Sequence, residues 1–183
     1  MAFINAKQMF NSPQKDNEGL MIINMNVKCD DDFLSVYSPT KTPIINTDVA
    51  EFIESAAEAT KPNEAFTLRI YSNEIDNTEK PLYEKAIRTY YKEKQISNEM
   101  SLRRNNIIAT LLFAFGIFVL ALAIIIDYTL ESAIWSEVID IVAWVLIWEA
   151  ADIAIFRNNE LRVKKKRYNS FINMNIEYYE SKN

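Results

Sequence analysis

Four carboxylates within an otherwise apolar stretch are the side chains of this sequence with the clearest capacity for chemistry. A charged side chain at bilayer depth costs about 2.5 to 3.5 kcal/mol, so it needs a partner, water or an interface. At about 100° per residue of helix, three of the four share an arc of about 120° with two tryptophans, and the fourth lies about 60° beyond it. This surface, here called the acidic face, comprises Glu137, Asp140, Trp144, Trp148 and Asp152, with Glu149 beside it.

Three interpretations of the acidic face are open. In the first, Glu137 and Asp140 lie in the outer headgroup region, and Asp152 pairs with Arg103 or Arg104 near the inner boundary. In the second, the face is buried between subunits of a homo-oligomer. In the third, it lines a water-filled cation pathway. The third requires the second, because one polar stripe on one helix cannot enclose a pore.

The composition excludes most familiar catalytic designs. The 183 residues include no His, two Gly and one Cys, which removes imidazole bases, thiolate metal clusters and glycine-rich phosphate loops. The run Asp30, Asp31 and Asp32 lacks the alternating spacing of a calcium loop and is typical of a solvated turn. We therefore expect neither an enzyme nor a cofactor or metal site.

Two apolar stretches predict a membrane hairpin. The first, 107–126, is interrupted only by Thr110 and Gly116 and measures about 30 Å as a helix, the thickness of a bilayer's hydrocarbon core. The second runs over 134–156 and contains the acidic face. The loop 127–133 between them has acidic residues but no Lys or Arg.

Basic residues flank the outer ends of both stretches. By the positive-inside rule, this arrangement places both termini in the cytoplasm. The Asn, Lys and Ile content is typical of an AT-biased bacterial sequence, so we expect a bacterial inner (plasma) membrane protein. The basic run 162–167 beside the second stretch suits anionic lipid headgroups better than nucleic acid, so we expect the lipid bilayer as a partner and no nucleic acid. The flanking cations are Lys92, Lys94, Arg103, Arg104, Arg157, Arg162, Lys164, Lys165, Lys166 and Arg167.

Small residues predict how the two helices pack. They recur every seven positions on each stretch, and the three pairs they form are symmetric about Thr129 and Leu130 in an antiparallel hairpin. Membrane helices associate by close backbone approach at such residues. The alternative is that Ala is simply common in membrane helices, since Ala114 and Ala121 form another stripe. The predicted seam pairs Ala109 with Ala150, Gly116 with Ala143, and Ala123 with Ser136.

The remaining sequence predicts a small α+β domain. Alternating apolar residues indicate strands over 21–28 and 66–70, with a weaker candidate over 33–37. Thr47 is expected to cap a helix, and a longer helix should begin near Thr78. The segment 172–176 nearly repeats 23–27; either it adds a strand to the N-terminal sheet, or the similarity is chance.

The predicted fold is thus an α+β membrane protein: a two-helix antiparallel transmembrane hairpin with a small cytoplasmic α+β domain. The expected function is presentation of a cytoplasmic interaction or signalling domain, with an unknown protein partner, on a self-associating anchor. The alternative is an oligomeric membrane-perturbing or cation-conducting effector. The predicted segments are a polar N-terminal segment 1–20, the α+β domain 21–77, a stalk helix 78–106, spans 107–126 and 134–156 joined by the external loop 127–133, and a basic juxtamembrane helix with C-terminal strand 157–183.

Overall fold

A computed structural model describes residues 14–15, 21–27, 29, 33–39, 42–58, 60–130 and 133–180. Most of the predicted N-terminal segment, the acidic run 30–32 and loop positions 131–132 lie outside these residues. The chain divides into two compact units, one of Met1–Ile96 with Lys166–Asn183 and one of Ser97–Lys165. They are called the sheet unit and the hairpin unit below. The protein is mixed α+β, as the sequence predicts.

A four-stranded sheet organises the sheet unit. Its strands are β1 (Gln14–Lys15), β2 (Met21–Asn26), β3 (Phe66–Tyr71) and β4 (Asn175–Tyr179), in spatial order β1-β2-β3-β4. β1 is antiparallel to β2, whereas β2, β3 and β4 are mutually parallel. The alternation that predicted strands over 21–28 and 66–70 is therefore correct in type, with a shift of one or two residues at the ends.

The candidate strand over 33–37 does not form. Leu34 makes only an isolated bridge with Ile45, and Ser35 N donates to Ile44 O at 2.8 Å. Phe33 is fully buried and stacks on Tyr83, with ring centroids 4.5 Å apart. The apolar residues of this segment thus fill the core from a loop, which is why their pattern resembled that of a strand.

Helix α1 (Thr47–Ala57) connects β2 and β3 and packs on the sheet through its buried residues Ala50, Ile53 and Ala56. The predicted cap is displaced by one residue, because Asn46 Oδ1 accepts the hydrogen bond from Asp48 N at 3.2 Å. Asn is at least as good an N-cap as Thr, and here its side chain reaches the second helical N–H.

Helix α2 (Lys80–Leu130) is one unbroken helix over the predicted stalk and first span. It begins after a capping box, in which Asp76 N donates to Glu79 Oε2 and Glu79 N donates to Asp76 Oδ1, both at 3.0 Å. Hydrogen bonds that Thr78 donates to the Asp76 carboxylate, and after them the one from Glu79 N, lower the pKa of Asp76. Within the described residues, α2 is the one helix long and apolar enough to cross a membrane.

After α2 the chain forms α3 (Ala133–Asp152), a π turn (Ile153–Arg157) and α4 (Asn158–Ile172). The 20 residues of α3 measure about 30 Å, but the helix carries all four carboxylates of the acidic face. A second membrane crossing is therefore a proposal, considered below.

The C-terminal strand joins the sheet, as one of the two interpretations of the sequence expects, but over different residues. β4 begins three residues later than expected and pairs with β3 rather than with β2, which 172–176 resembles in sequence. α4 continues to Ile172, and Phe171 then lies in the core, stacked on Tyr91 at 4.4 Å and edge-on to Phe66 at 5.4 Å. Burial of these rings fixes where the returning helix ends, so the strand starts beyond it.

Candidate functional site

The hairpin unit contains most of the residues that the sequence singled out. Its two helical arms run antiparallel: Asp127 contacts Ser136 at one end, and Glu99 contacts Lys165 at the other. Gly116 lies between these contacts, against α3. A Cβ atom at Gly116 would lie 2.8 Å from Ile147 Cγ1 and 3.3 Å from Ala143 O, so only Gly fits at this distance without a shift.

The residues of the predicted seam lie on the inner side of the hairpin unit. Five are buried and Ser136 is half-buried, with its hydroxyl donating to Asp127 Oδ1 at 3.1 Å. Small side chains allow the helix backbones to approach closely, as Gly116 and Ala143 do. The buried five are Ala109, Gly116, Ala123, Ala143 and Ala150.

Large apolar side chains cover the outer surface of the same unit. They leave about half or more of their surface exposed, which is the reverse of a water-soluble helical hairpin, where such residues fill the interior. Contiguous exposed apolar surface of this extent marks a surface that contacts lipid or protein rather than water. Examples are Ile107, Leu111, Phe115, Phe118, Ile124, Trp135, Ile141, Val145, Trp148 and Phe156.

The acidic face is divided into two parts. Toward the loop, Glu137 is exposed and Asp140 half-buried, and neither forms an ion pair with a described residue. Toward the opposite end, Arg157 binds both remaining carboxylates: its Nη2 lies 2.9 Å from Glu149 Oε1 and its Nε lies 3.2 Å from Asp152 Oδ2. Trp144 and Trp148 lie between the two parts and are 58% and 76% exposed.

The π turn explains this ion-pair cluster. In a regular helix, Arg157 would be about 80° from Glu149 and about 140° from Asp152 around the axis. A π turn accommodates about one extra residue, or about 100°, which reduces these offsets to about 20° and about 40°. The guanidinium group therefore lies over both carboxylates.

Asp152 pairs with Arg157 and not with Arg103 or Arg104, contrary to the pairing considered from the sequence. The physical reason is the same π turn, which periodicity at a constant 100° per residue does not anticipate. Arg103 and Arg104 are exposed on α2. The structure thus does not bring these two arginines to the acidic face.

A group of asparagines at the end of the hairpin opposite its loop was missed by sequence reasoning. Asn158 is fully buried and donates from Nδ2 to Asn106 Oδ1 at 2.7 Å, and Asn98 donates to Leu161 O at 2.8 Å. Among the described residues, the Oδ1 atom of Asn158 has no hydrogen-bond partner. The available signal was the position of Asn106 and Asn158 directly beside the two apolar stretches.

The sheet unit has its own candidate surface, at the carboxyl ends of its parallel strands. The helices pack on one face of the sheet, and on the other face Asn24 and Asn26 are exposed beside the stacked rings of Tyr71 and Tyr179, whose centroids are 5.5 Å apart. An open groove of about 750 Å³ lies there. Parallel sheets are normally covered on both faces, so this part of the face, which no described helix covers, is a candidate interaction surface.

Comparison with known proteins gives no match: no protein-family model, no curated protein and no solved structure is similar to this chain.

Proposed function

We propose that this chain is a bacterial inner-membrane protein that presents a cytoplasmic α+β interaction domain on a self-associating two-helix anchor. The observation that carries the proposal is the distribution of side chains in the hairpin unit, with small residues buried between the arms and large apolar residues outside. Lipid provides no hydrophobic driving force for helix association, so close packing at small residues replaces it.

The acidic face supports self-association. Only eight residues, 141–148, separate Asp140 from Glu149, so the apolar helix between these two carboxylates is about 12 Å long. This is much less than the thickness of a bilayer's hydrocarbon core, about 30 Å. A second copy packed on this face would cover the exposed Trp144 and Trp148 and remove Asp140 from lipid. Arg157 already compensates the charge at the other end of the face.

The interaction surface of the cytoplasmic domain is proposed to be this face of the sheet, at the carboxyl ends of its parallel strands. Asn24 and Asn26 offer amide groups there, and Tyr71 and Tyr179 offer ring surface. Tyrosine and amide side chains are common in protein recognition surfaces, because they combine apolar area with hydrogen bonding.

Topology is the first test, and the single native Cys29, which is exposed, supplies the probe. In spheroplasts, a membrane-impermeant maleimide should label Cys29 only after permeabilisation. In a Cys29→Ser background, Tyr128→Cys near the loop should be labelled without permeabilisation. Labelling of Cys29 in intact spheroplasts, or release of the protein by alkaline carbonate, would contradict the proposal.

Self-association is tested by measuring the oligomeric state in nanodiscs or mild detergent. Trp148→Ala should shift the protein toward the monomer, because Trp148 lies on the acidic face. Trp135→Ala removes a similarly exposed ring from α3 outside that face and should leave the oligomer intact. Equal effects of the two substitutions would argue against the acidic face as the contact.

A cation-conducting effector is the second candidate. It is favoured by Glu137 and Asp140, the two carboxylates of the acidic face that form no ion pair with a described residue. Ion flux through liposomes containing the protein, reduced by Asp140→Asn or Glu149→Gln, would support conduction. Liposomes without leak would reject it and leave the anchor function as the remaining proposal.

A further inference from the structure

The basic residues of the hairpin unit fall into two groups by their ion pairing. Three are paired with carboxylates: Arg157 with Glu149 and Asp152, Lys164 with Glu160 at 2.6 Å, and Lys165 with Glu99 at 2.9 Å. Three exposed arginines form no ion pair within the described part of the chain: Arg103, Arg104 and Arg162. Of these, Arg103 has only a secondary electrostatic effect on Glu99, whose pKa is lowered mainly by Lys165.

The three unpaired arginines lie at one level along the hairpin. The hydrogen bond between Asn106 and Asn158 sets which residues of α2 and α4 face each other. Four residues beyond Asn158 is Arg162, and four residues before Asn106 is Leu102, directly adjacent to Arg103. The three positions are thus within about two residues, or about 3 Å, of one another along the axis. At about 100° per residue, Arg103 and Arg162 are about 60° and about 40° around their helices from the facing asparagines, whereas Arg104 is about 160° from Asn106, on the side of α2 away from α4.

This level lies just outside the apolar surface. Arg104 precedes Ile107, the first residue of the apolar stretch 107–126, by three residues, which is about 4.5 Å of helix. Phosphate groups of a bilayer occupy this depth relative to its hydrocarbon core. Arginine presents a planar set of N–H donors that matches phosphate oxygens and stays charged at any relevant pH.

From this geometry we propose that Arg103 and Arg162 form a binding site for the phosphate headgroup of an anionic phospholipid in the cytoplasmic leaflet, with Arg104 outside that site. The paired lysines contribute little, because neighbouring carboxylates compensate their charges. This inference rests on the proposed membrane insertion and adds the class of lipid that the anchor selects and the residues that select it.

The test uses the full chain reconstituted in phosphatidylcholine bilayers with a trace of spin-labelled lipid. The measured quantity is the motionally restricted fraction of labelled phosphatidylglycerol relative to labelled phosphatidylcholine. We expect a severalfold preference for phosphatidylglycerol that declines at about 1 M NaCl, where the screening length is about 3 Å. Removing either Arg103 or Arg162 should lower the preference, and removing both should abolish it.

A matched pair of variants separates a site from general charge. Arg103→Gln/Arg162→Gln and Lys164→Gln/Lys165→Gln each remove two positive charges, and only the arginine variant should lose the preference. Arg104→Gln should leave the preference unchanged. Equal losses in the two double variants would overturn the site in favour of unspecific attraction.

Two further outcomes have defined meanings. Inorganic phosphate, added at constant ionic strength, should not compete; competition would overturn the assignment to a lipid headgroup. Restricted phosphatidylcholine without preference for phosphatidylglycerol would reject this site and leave membrane insertion intact. Absence of any restricted lipid would instead contradict the proposed function itself.

Discussion

The sheet unit and the hairpin unit bury opposite kinds of side chain. In the sheet unit, Leu68, Ile70 and Phe171 are fully buried, and most polar side chains lie at the surface. In the hairpin unit, Ala143 is fully buried, whereas Leu111 and Trp148 are more than 60% exposed. The same rule, that large apolar groups leave water, gives these two results only if the surroundings of the two units differ. The distribution of buried and exposed side chains therefore indicates that the two units have different surroundings.

The largest expected effect comes from truncating the core of the sheet unit. Leu68→Ala should lower its free energy of unfolding by about 2 to 5 kcal/mol, because β3 is central and Leu68 is fully buried. Leu111→Ala removes the same atoms from the outer surface of the hairpin unit and should change stability little in a bilayer. Chemical denaturation of both reconstituted variants measures the difference. A large loss of unfolding free energy for Leu111→Ala would contradict the contrast between the two units.

The seam between the helices is the next target. Gly116→Leu should weaken the hairpin, because even a Cβ atom there meets Ile147 Cγ1 at 2.8 Å and the backbone at Ala143 O. Ala114→Leu enlarges an exposed position two residues away and serves as the control. Thermal unfolding in detergent should show a lower Tm for Gly116→Leu only; an unchanged Tm would count against the seam.

Charge compensation near the π turn gives a smaller effect. Arg157→Gln should leave Glu149 and Asp152 without their cation and reduce the yield of membrane-integrated protein. Adding Glu149→Gln and Asp152→Asn should restore the yield, since no charge then needs compensation. Carbonate-resistant protein is the measured quantity, and a triple variant no better than Arg157→Gln would argue against charge compensation.

The smallest effect concerns a carboxyl group of the sheet unit. Burial raises the pKa of Glu54, opposed by the attraction of Lys94, and Glu54 Oε1 has no hydrogen-bond partner among the described residues. Because the pKa is higher in the folded protein, the free energy that protonated Glu54 contributes to stability is present at low pH and is lost as the pH rises through the folded-state pKa. Glu54→Gln should therefore increase stability at pH 7 and flatten the dependence of stability on pH above about 4, where a glutamate in the unfolded chain ionises.

Thermal melts of the two proteins across that pH range measure this difference. Glu58→Gln, one turn later at the exposed C-terminal end of α1, is the matched control and should leave the pH dependence unchanged. A pH profile that is the same for Glu54→Gln and the unsubstituted protein would show that Glu54 titrates as it does in the unfolded chain.

Features with a short, regular period were predictable from sequence. Alternation located β2 and β3, and the apolar stretch 107–126 located the C-terminal half of α2. The capping box from Asp76 to Glu79 was also readable, although the helix start was placed at Thr78 instead. Phe33 shows the limit, because a buried residue in a loop has the same pattern as one in a strand.

The sequence by itself determined where the apolar residues lie along the chain, and hence the local elements and the long apolar helix. Tertiary structure decided which residues meet: β4 with β3, Asn106 with Asn158, and Arg157 with Glu149 and Asp152. The reason is that these contacts depend on a π turn and on the packing of Phe171 against Tyr91. A change of one residue in helix register rotates a side chain by about 100°, and only contacts distant in sequence fix that register.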